Sequence, residues 1–367
     1  MLKNRMVGTD LDVSALCIGG GGWISPDMVF RFLDAAYFEH DMNFIDLAEI
    51  YPSMLNNLNI AEKFTGLWIR KHNLKNKMVI STKFSGPNGF REGSPFALDN
   101  LRSALEGSLS ALRVDCIDFW QLHWPVRSTT NWRGMQYVHA PENDADNYAT
   151  LIHNFDILQR EGKVKHLGLS NDSPWGIMDA VRESERQNLP GAKVNFIQNP
   201  FTIMSISETR STFEVCMREN INYLAYSPLA CGWLTTKYNG LGPDDPYPHG
   251  TRLNAYETFR NMADYNTVYR RDVAVNFRND LVKVADQAGI SITELSLRYC
   301  LSWNCVKSLL TAVTSTDQLT ECVNAVNKGA LPEDILDAVY AVKEKNWSEV
   351  FFTTAPPTPG RSIRNMV

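Results

Sequence analysis

Apolar residues recur along the chain in two alternating rhythms. Short runs rich in β-branched or aromatic residues stand at Leu16–Ile18, Asn43–Asp46, Met78–Thr82, Cys116–Leu122, Lys165–Leu169, Lys193–Gln198, Asn222–Ala225 and Val306–Leu310. Runs that are mostly apolar, without strict alternation, belong to strands covered on both faces. Between them, apolar positions fall three and four apart, which predicts helices over 27–39, 57–72, 97–112, 148–161, 174–187, 208–219, 272–288 and 316–327. Strict strand–helix alternation predicts a parallel sheet. Eight such units over roughly 300 residues favour a closed (β/α)8 TIM barrel over an open doubly wound sheet.

Ahead of the first unit, Arg5–Val7 and Val13–Ile18 flank Gly8-Thr9-Asp10, the pattern of an N-terminal hairpin. Pro26 opens the first helix. The stretches 124–147 and 238–271 lack either rhythm and predict long rim loops. No linker or low-complexity segment divides the chain, so residues 1–345 are expected to form one barrel domain. Ala355-Pro356-Pro357-Thr358-Pro359-Gly360 cannot be helical, and 346–367 are expected to be a surface tail.

Composition narrows the function. With 44% hydrophobic and 21% charged residues in 367, disorder is excluded as the main state. The net charge of −5 leaves no basic footprint for nucleic acid or an anionic membrane. No eighteen-residue apolar run exists, and MLKNRMVGTD lacks the core of a signal peptide. Seven cysteines, odd in number and without a CxxC pair, suit the reduced thiols of a cytoplasmic protein. No two histidines lie four apart, so no metal is expected.

In a parallel barrel the chemistry gathers where strands end. The second strand runs into Ile45-Asp46-Leu47-Ala48-Glu49-Ile50-Tyr51-Pro52, the third into Ser81-Thr82-Lys83-Phe84, the fourth into Gln121-Leu122-His123-Trp124-Pro125. One ionisable group at a strand end is explained by a surface ion pair. Four of complementary type on neighbouring strands are not. A phenol with a pKa near 10 needs help to act at neutral pH. An ammonium stabilises its phenolate and is expected to lower that pKa, while a carboxylate holds the ammonium charged. Asp46, Lys83 and Tyr51 make that chain, with His123 placed to hydrogen-bond a carbonyl oxygen. Gly19-Gly20-Gly21-Gly22 precedes a helix, but no glycine stands at 24, so the GxGxxG phosphate loop is not matched.

The segments IDLAEIYP, STKFSGP and QLHWPVR, in this order and spacing, resemble the aldo-keto reductase superfamily. The likeness continues through HLGLSN at 166–171, IQNPF at 197–201, LAYSPLACGWLTTKY at 224–238 and TDQLTECV at 316–323. It spans about residue 5 to residue 345, with wording shared with a bacterial Tas-type branch. The resemblance implies Tyr51 as general acid/base, Lys83 and Asp46 as its tuners, and His123 as carbonyl orienter. It also implies a nicotinamide dinucleotide extended across the rim. Gly19, Gly20, Gly21 and Asp46 would line the nicotinamide ribose region, Ser170, Asn171 and Gln198 would hold the carboxamide, and Tyr226 would stack on the ring. Ser227, Leu229 and Gly232 would follow the pyrophosphate, with Lys237 as charge partner.

At the adenosine end the resemblance points to Ala312, Thr314, Ser315, Thr316, Gln318 and Glu321. Cys322 departs from the family's usual asparagine, and no arginine or lysine stands within 311–318. Family habit implies NADPH; the missing cation leaves NADH open. Trp23, Ile50 and Trp124, with Phe84 and Trp233, would line a pocket for an apolar or aryl carbonyl compound.

The expected activity is therefore NAD(P)H-dependent reduction of aldehydes and ketones, with a small-molecule substrate and neither nucleic acid nor membrane as partner. Monomer and homo-oligomer stay open. Two alternatives compete. A redox-sensing partner resembling a potassium-channel β subunit would carry an N-terminal extension, and Met1 stands only a few residues before the hairpin. A barrel lyase or isomerase using Lys83 as a Schiff-base amine would leave Ser170, Asn171, Gln198 and Tyr226 without a task.

Overall fold

The structure, a computed structural model, describes residues 1–52, 57–85, 91–127, 129, 147–205, 207–258 and 269–346. The tail expected at 346–367 lies outside them except for Asn346, as does most of the 124–147 stretch. Lys3–Arg5 (β1) pairs antiparallel with Asp12–Ser14 (β2). Eight parallel strands follow: Leu16–Gly19 (β3), Phe44–Asp46 (β4), Val79–Phe84 (β5), Ile117–Leu122 (β6), Val164–Ser170 (β7), Val194–Pro200 (β8), Asn222–Tyr226 (β9) and Val306–Thr311 (β10). They run in sequence order around a closed barrel, β10 pairing with β3, so the chain is a (β/α)8 TIM barrel.

The helices are Pro26–Asp34 (α1), Ile60–His72 (α2), Leu98–Leu112 (α3), Tyr148–Arg160 (α4), Pro174–Arg186 (α5), Ser207–Arg210 (α6), Thr212–Glu219 (α7), Arg252–Thr258 (α8), Asp272–Gln287 (α9), Ile292–Leu301 (α10), Thr316–Asn327 (α11) and Glu333–Lys345 (α12). Local chemistry sets several starts. Ser25 accepts from the Met28 N–H with Pro26 in the first turn, and Ser173 does the same for Gly176 ahead of Pro174.

The helices differ from the pattern in several places. The first helix ends at Asp34 and continues as a π-helical turn over Ala35–Glu39. The helix expected over 208–219 breaks at Ser211. Helix α10 has no sequence signal because nearly all of it is buried, Ile292, Leu295, Arg298 and Tyr299 alike, so no polar stripe marks a period.

Two cores result. The larger packs helices on the outside of the barrel. The smaller fills the barrel's interior with Cys17, Phe44, Val79, Phe119, Phe196, Leu224 and Leu310, one from each of seven strands, joined by Met6 and Val13 around the hairpin. Each such side chain contributes about 1.5–3 kcal/mol when fully buried. The hairpin thus shuts the end where the strands begin, and the opposite rim is left for polar residues.

Candidate active site

Side chains two apart on a strand share a face. Stepping forward from the interior core, Phe44 leads to Asp46, Val79 to Ser81 and Lys83, Phe119 to Gln121 and His123, Phe196 to Gln198, and Leu224 to Tyr226. Register then brings them level: Gly19 lies beside Asp46, Asp46 beside Ser81, Lys83 beside Gln121, and Ser170 beside Gln198.

Asp46 is the hub. Its Oδ2 accepts from the Lys83 ammonium, and both side chains are almost wholly buried. Its Oδ1 accepts from Ser81 Oγ at 2.9 Å, Gln198 Nε2 at 2.9 Å and Gln121 Nε2 at 3.1 Å. Lys83 Nζ also donates to the Leu47 carbonyl at 2.8 Å. Removing an ion pair from water costs several kcal/mol per ion unless hydrogen bonds fill the remaining positions. Here they do. Burial works against the Lys83 ammonium, but Asp46 and Tyr51 hold its pKa above the ordinary value.

Tyr51 sits on the turn after β4, its N–H donating to Ala48 O at 3.0 Å. Glu49, two residues before it, is buried, accepts from the Ser85 N–H at 2.6 Å and takes both terminal nitrogens of Arg91 at 2.6 and 3.0 Å. The Tyr51 ring lies 5.2 Å from Lys83 Nζ and edge-on to His123 at 5.5 Å. Burial raises the phenol's pKa and outweighs the Lys83 charge and hydrogen bond that lower it. The expected net lowering is therefore corrected: desolvation wins before any ligand binds. His123 is pushed well below its ordinary value by burial and by the Lys83 charge, so its ring is neutral. Its Nδ1 is buried and has no hydrogen-bond partner among the described residues.

Of the pocket candidates, Ile50 and Trp124 keep exposed surface. Trp23, Phe84 and Trp233 are buried in the main core. Phe84 stacks on Trp120 at 4.3 Å, and Trp233 packs on Tyr238 and Tyr269. For Phe84 and Trp233 the pocket expectation gives way to packing. Gly20 is also set by packing, since a Cβ there would stand 2.4 Å from Leu47. Gly21 faces the Tyr51 ring, 3.7 Å from where its Cβ would be. Gly19 faces the Thr311 carbonyl in the same way at 3.4 Å.

Ser170, Asn171, Gln198 and Tyr226 come together. Ser170 Oγ donates to Gln198 O at 2.8 Å. Asn171 Nδ2 donates to His123 O at 2.8 Å and to Ser170 Oγ at 3.1 Å, and its Oδ1 accepts from the Tyr226 hydroxyl at 2.6 Å. Beyond β9 the backbone turns sharply, with φ of 55° at Ser227, 48° at Ala230, 59° at Cys231 and 92° at Gly232. Leu229 accepts from the N–H groups of Gly232 and Leu234 in that turn.

Past β10 the chain enters α11. Ser315 caps α11, accepting from the Gln318 N–H at 3.3 Å, while Gln318 Oε1 accepts from the Thr314 N–H at 3.0 Å. Both side chains are thus engaged by the helix start. Ala312, Thr314 and Glu321 reach solvent or its edge, whereas Cys322 is buried and its thiol is pushed up to about 12 by that burial. The Lys237 charge pulls the same thiol the other way.

Residues 15–344 match the Aldo/keto reductase family. The chain belongs to that family. It is similar to Protein tas of Escherichia coli K12, 30% identical over 358 residues covering 94% of this chain and 98% of that protein. An aldo-keto reductase of Babesia bovis is 31% identical over 264 residues, 68% of this chain and 89% of its own length. A probable voltage-gated potassium channel subunit beta of Arabidopsis thaliana is 28% identical over 297 residues, 79% of each chain. As an aldo/keto reductase the protein is an oxidoreductase, of a family that uses nicotinamide cofactors on small carbonyl compounds. No described helix is long and apolar enough to cross a membrane.

Three contributors escape the motif reading. Gln121 and Ser81 support Asp46, and counting by two from Phe119 and Val79 places them there. Arg278 on α9 donates to Trp233 O at 2.8 Å, Thr235 O at 2.7 Å and Asn239 Oδ1 at 2.6 Å, clamping the segment that follows Gly232. Burial draws its pKa down to about 10. Its signal is an arginine on the stripe of Ala274, Phe277 and Leu281.

Proposed function

We propose that this aldo/keto reductase reduces aldehydes and ketones to alcohols with NADPH, Tyr51 giving the proton. One observation carries the reading: a buried Lys83–Asp46 pair lies beneath Tyr51, beside a neutral His123 whose Nδ1 is unpartnered among the described residues. The residues fit a dinucleotide. The rim beside Tyr51 is backbone at Gly21, the amide of Asn171 is held by hydrogen bonds, and the turn at 227–232 and the start of α11 follow two neighbouring strands, β9 and β10. A bound nicotinamide dinucleotide supplies the hydride.

The protein's part is proton placement and orientation. Burial keeps the Tyr51 phenol protonated until a carbonyl oxygen gains charge. Lys83 then stabilises the phenolate that remains, and Asp46 keeps Lys83 charged. His123 offers a ring N–H to the carbonyl oxygen, holding it within reach of Tyr51. Ser170, Asn171 and Gln198 would hold the carboxamide, Tyr226 would lie against the ring, and Gly19 to Gly21 with Asp46 would border the ribose. Ser227, Leu229 and Gly232 would carry the pyrophosphate. Ala312, Thr314, Ser315, Gln318 and Glu321, with Cys322 beneath them, would frame the adenosine end. Lys237 would serve the pyrophosphate as its charge partner; with no arginine or lysine in 311–318, the choice of NADPH follows the habit of the family. Ile50 and Trp124 leave an apolar mouth suited to an aryl or alkyl carbonyl.

The test is Tyr51→Phe. Turnover on the best substrate of an aldehyde and ketone panel should fall by roughly 10²–10⁴, with NADPH affinity by fluorescence titration held within about twofold. Retained turnover would make the proton assignment wrong, and borohydride trapping of a Lys83 imine would favour the Schiff-base alternative. The similarity to a channel subunit keeps one second reading, a redox-sensing partner. Tight NADPH binding with turnover slower than about one per minute on every panel member would favour it.

A further inference from the structure

Asp172 follows Asn171 directly and takes no part in the proton chemistry. Its side chain is fully buried, and both oxygens are engaged. Oδ1 accepts from Arg127 Nη2 and from the Ser173 N–H at 2.7 Å, while Oδ2 accepts from the Tyr148 hydroxyl. Arg127 closes the triangle, donating from Nη1 to Tyr148 Oη at 3.0 Å and from Nη2 to Ser173 Oγ at 3.0 Å. The backbone of Asp172 is held as firmly. Its N–H donates to Asn199 Oδ1 at 3.2 Å, and its carbonyl accepts from Asn199 Nδ2 at 2.8 Å.

The carboxylate therefore gathers the exit of β6 (Arg127), the first turn of α4 (Tyr148) and the cap of α5 (Ser173), while the backbone of the same residue is tied to β8 (Asn199). The fit is close. A Cβ on Gly176 would lie 2.2 Å from Arg127 Nη2 and 2.3 Å from Asp172 Oδ1, so α5 backs directly onto the pair. Its neighbour Asn171 is in the left-handed region, φ 59°, a conformation asparagine tolerates. Asn171 is also the residue whose amide joins His123 O to the Tyr226 hydroxyl.

We infer that Asp172, through Arg127 and Tyr148, is a positioning residue for the nicotinamide end of the dinucleotide: it fixes the 171–172 backbone so that the Asn171 amide stays aligned between His123 and Tyr226. The inference rests on the dinucleotide reading above. It has a directional consequence. Loosening Asp172 disturbs the carboxamide end and leaves the adenosine end, built on β10 and α11, untouched.

The experiment compares two ligands on the full-length protein, NADPH and 2′-phospho-ADP-ribose, which lacks only the nicotinamide ring and its carboxamide. Asp172→Asn should raise the NADPH Kd roughly tenfold, the scale of a lost charge-assisted hydrogen bond, and leave that of 2′-phospho-ADP-ribose within twofold. Gly176→Ala, which presses on the pair from outside, should do the same. Equal weakening of both ligands, or no change in either, would overturn the inference and leave Asp172 a purely structural residue. If Asp172→Asn does not fold, Tyr148→Phe removes the bond to Asp172 Oδ2 together with the one accepted from Arg127 Nη1 and should shift NADPH alone by at least about threefold; no selective shift there overturns it equally. A wild-type protein that binds neither NADPH nor NADH would instead remove the dinucleotide reading itself.

Discussion

A phenol is a weak acid, and burial makes Tyr51 weaker still despite the ammonium beside it. That sets the pH dependence. Reduction needs Tyr51 protonated and His123 neutral. The first condition holds up to and beyond pH 10, and the second holds down to well below pH 6.5. Carbonyl reduction at saturating NADPH should therefore be flat from about pH 6.5 to 9; a fall centred near pH 7 would mean that His123 titrates in the working range. Lys83→Met probes the same charge chain. It leaves Asp46 buried with only neutral donors, and breaking a buried pair from one side costs about 3–5 kcal/mol. Turnover should be lost together with that much urea stability, whereas Tyr51→Phe should lose turnover alone. The four groups are legible in the sequence because each lies in or just after the C-terminal end of a strand. The net direction of the Tyr51 shift is not, because desolvation depends on what packs around the hydroxyl. Asp172 is silent for a related reason: a polar residue within a core has no signature until partners dozens of residues away, Arg127, Tyr148 and Asn199, are in place.

Among the elements, the strands are read from sequence to within one or two residues at most ends, since an apolar run between polar flanks has sharp edges. Helices fare worse where burial hides their period, as in α10, or where a break falls inside an amphipathic pattern, as at Ser211. Helix α2 shows how tightly the outer layer is set. A Cβ on Gly66 would stand 2.1 Å from the Ala111 carbonyl and 2.9 Å from the Leu112 carbonyl carbon, both backbone at the end of α3. Alanine favours helix over glycine by about 1 kcal/mol, but here the neighbour is main chain and cannot rotate away. Overpacking of this kind costs about 1–3 kcal/mol, so Gly66→Ala should lower the urea midpoint while turnover per folded molecule is unchanged. A stabilised variant would mean that α2 and α3 can move apart freely.

For the molecule as a whole, the barrel is legible because alternation repeats eight times, while the way α12 is fastened to it is not. Lys343 on that helix donates to Ile203 O at 3.0 Å, Ser205 O at 3.1 Å and Tyr299 Oη at 2.9 Å, tying the last helix to the exit of β8 and to α10. Burial draws its pKa from 10.5 down to about 8. Between those values the unfolded chain binds more protons at this site than the folded one, so this site's contribution to stability rises with pH, by at most about 1.4 kcal/mol per unit. Buried thiols and phenols work in the opposite sense. Burial holds Cys300 and Tyr299 above their ordinary values, so above about pH 9 the unfolded state ionises first and total stability falls. The two trends overlap, and only a difference separates them. Unfolding free energies of the wild type and Lys343→Met, measured in urea at each half unit from pH 7 to 9.5, should diverge in the wild type's favour above pH 8, whatever the offset between them at pH 7. A constant offset across that range would show that Lys343 keeps an ordinary pKa in the fold, and that its three oxygen partners hold an ammonium whose desolvation they fully offset.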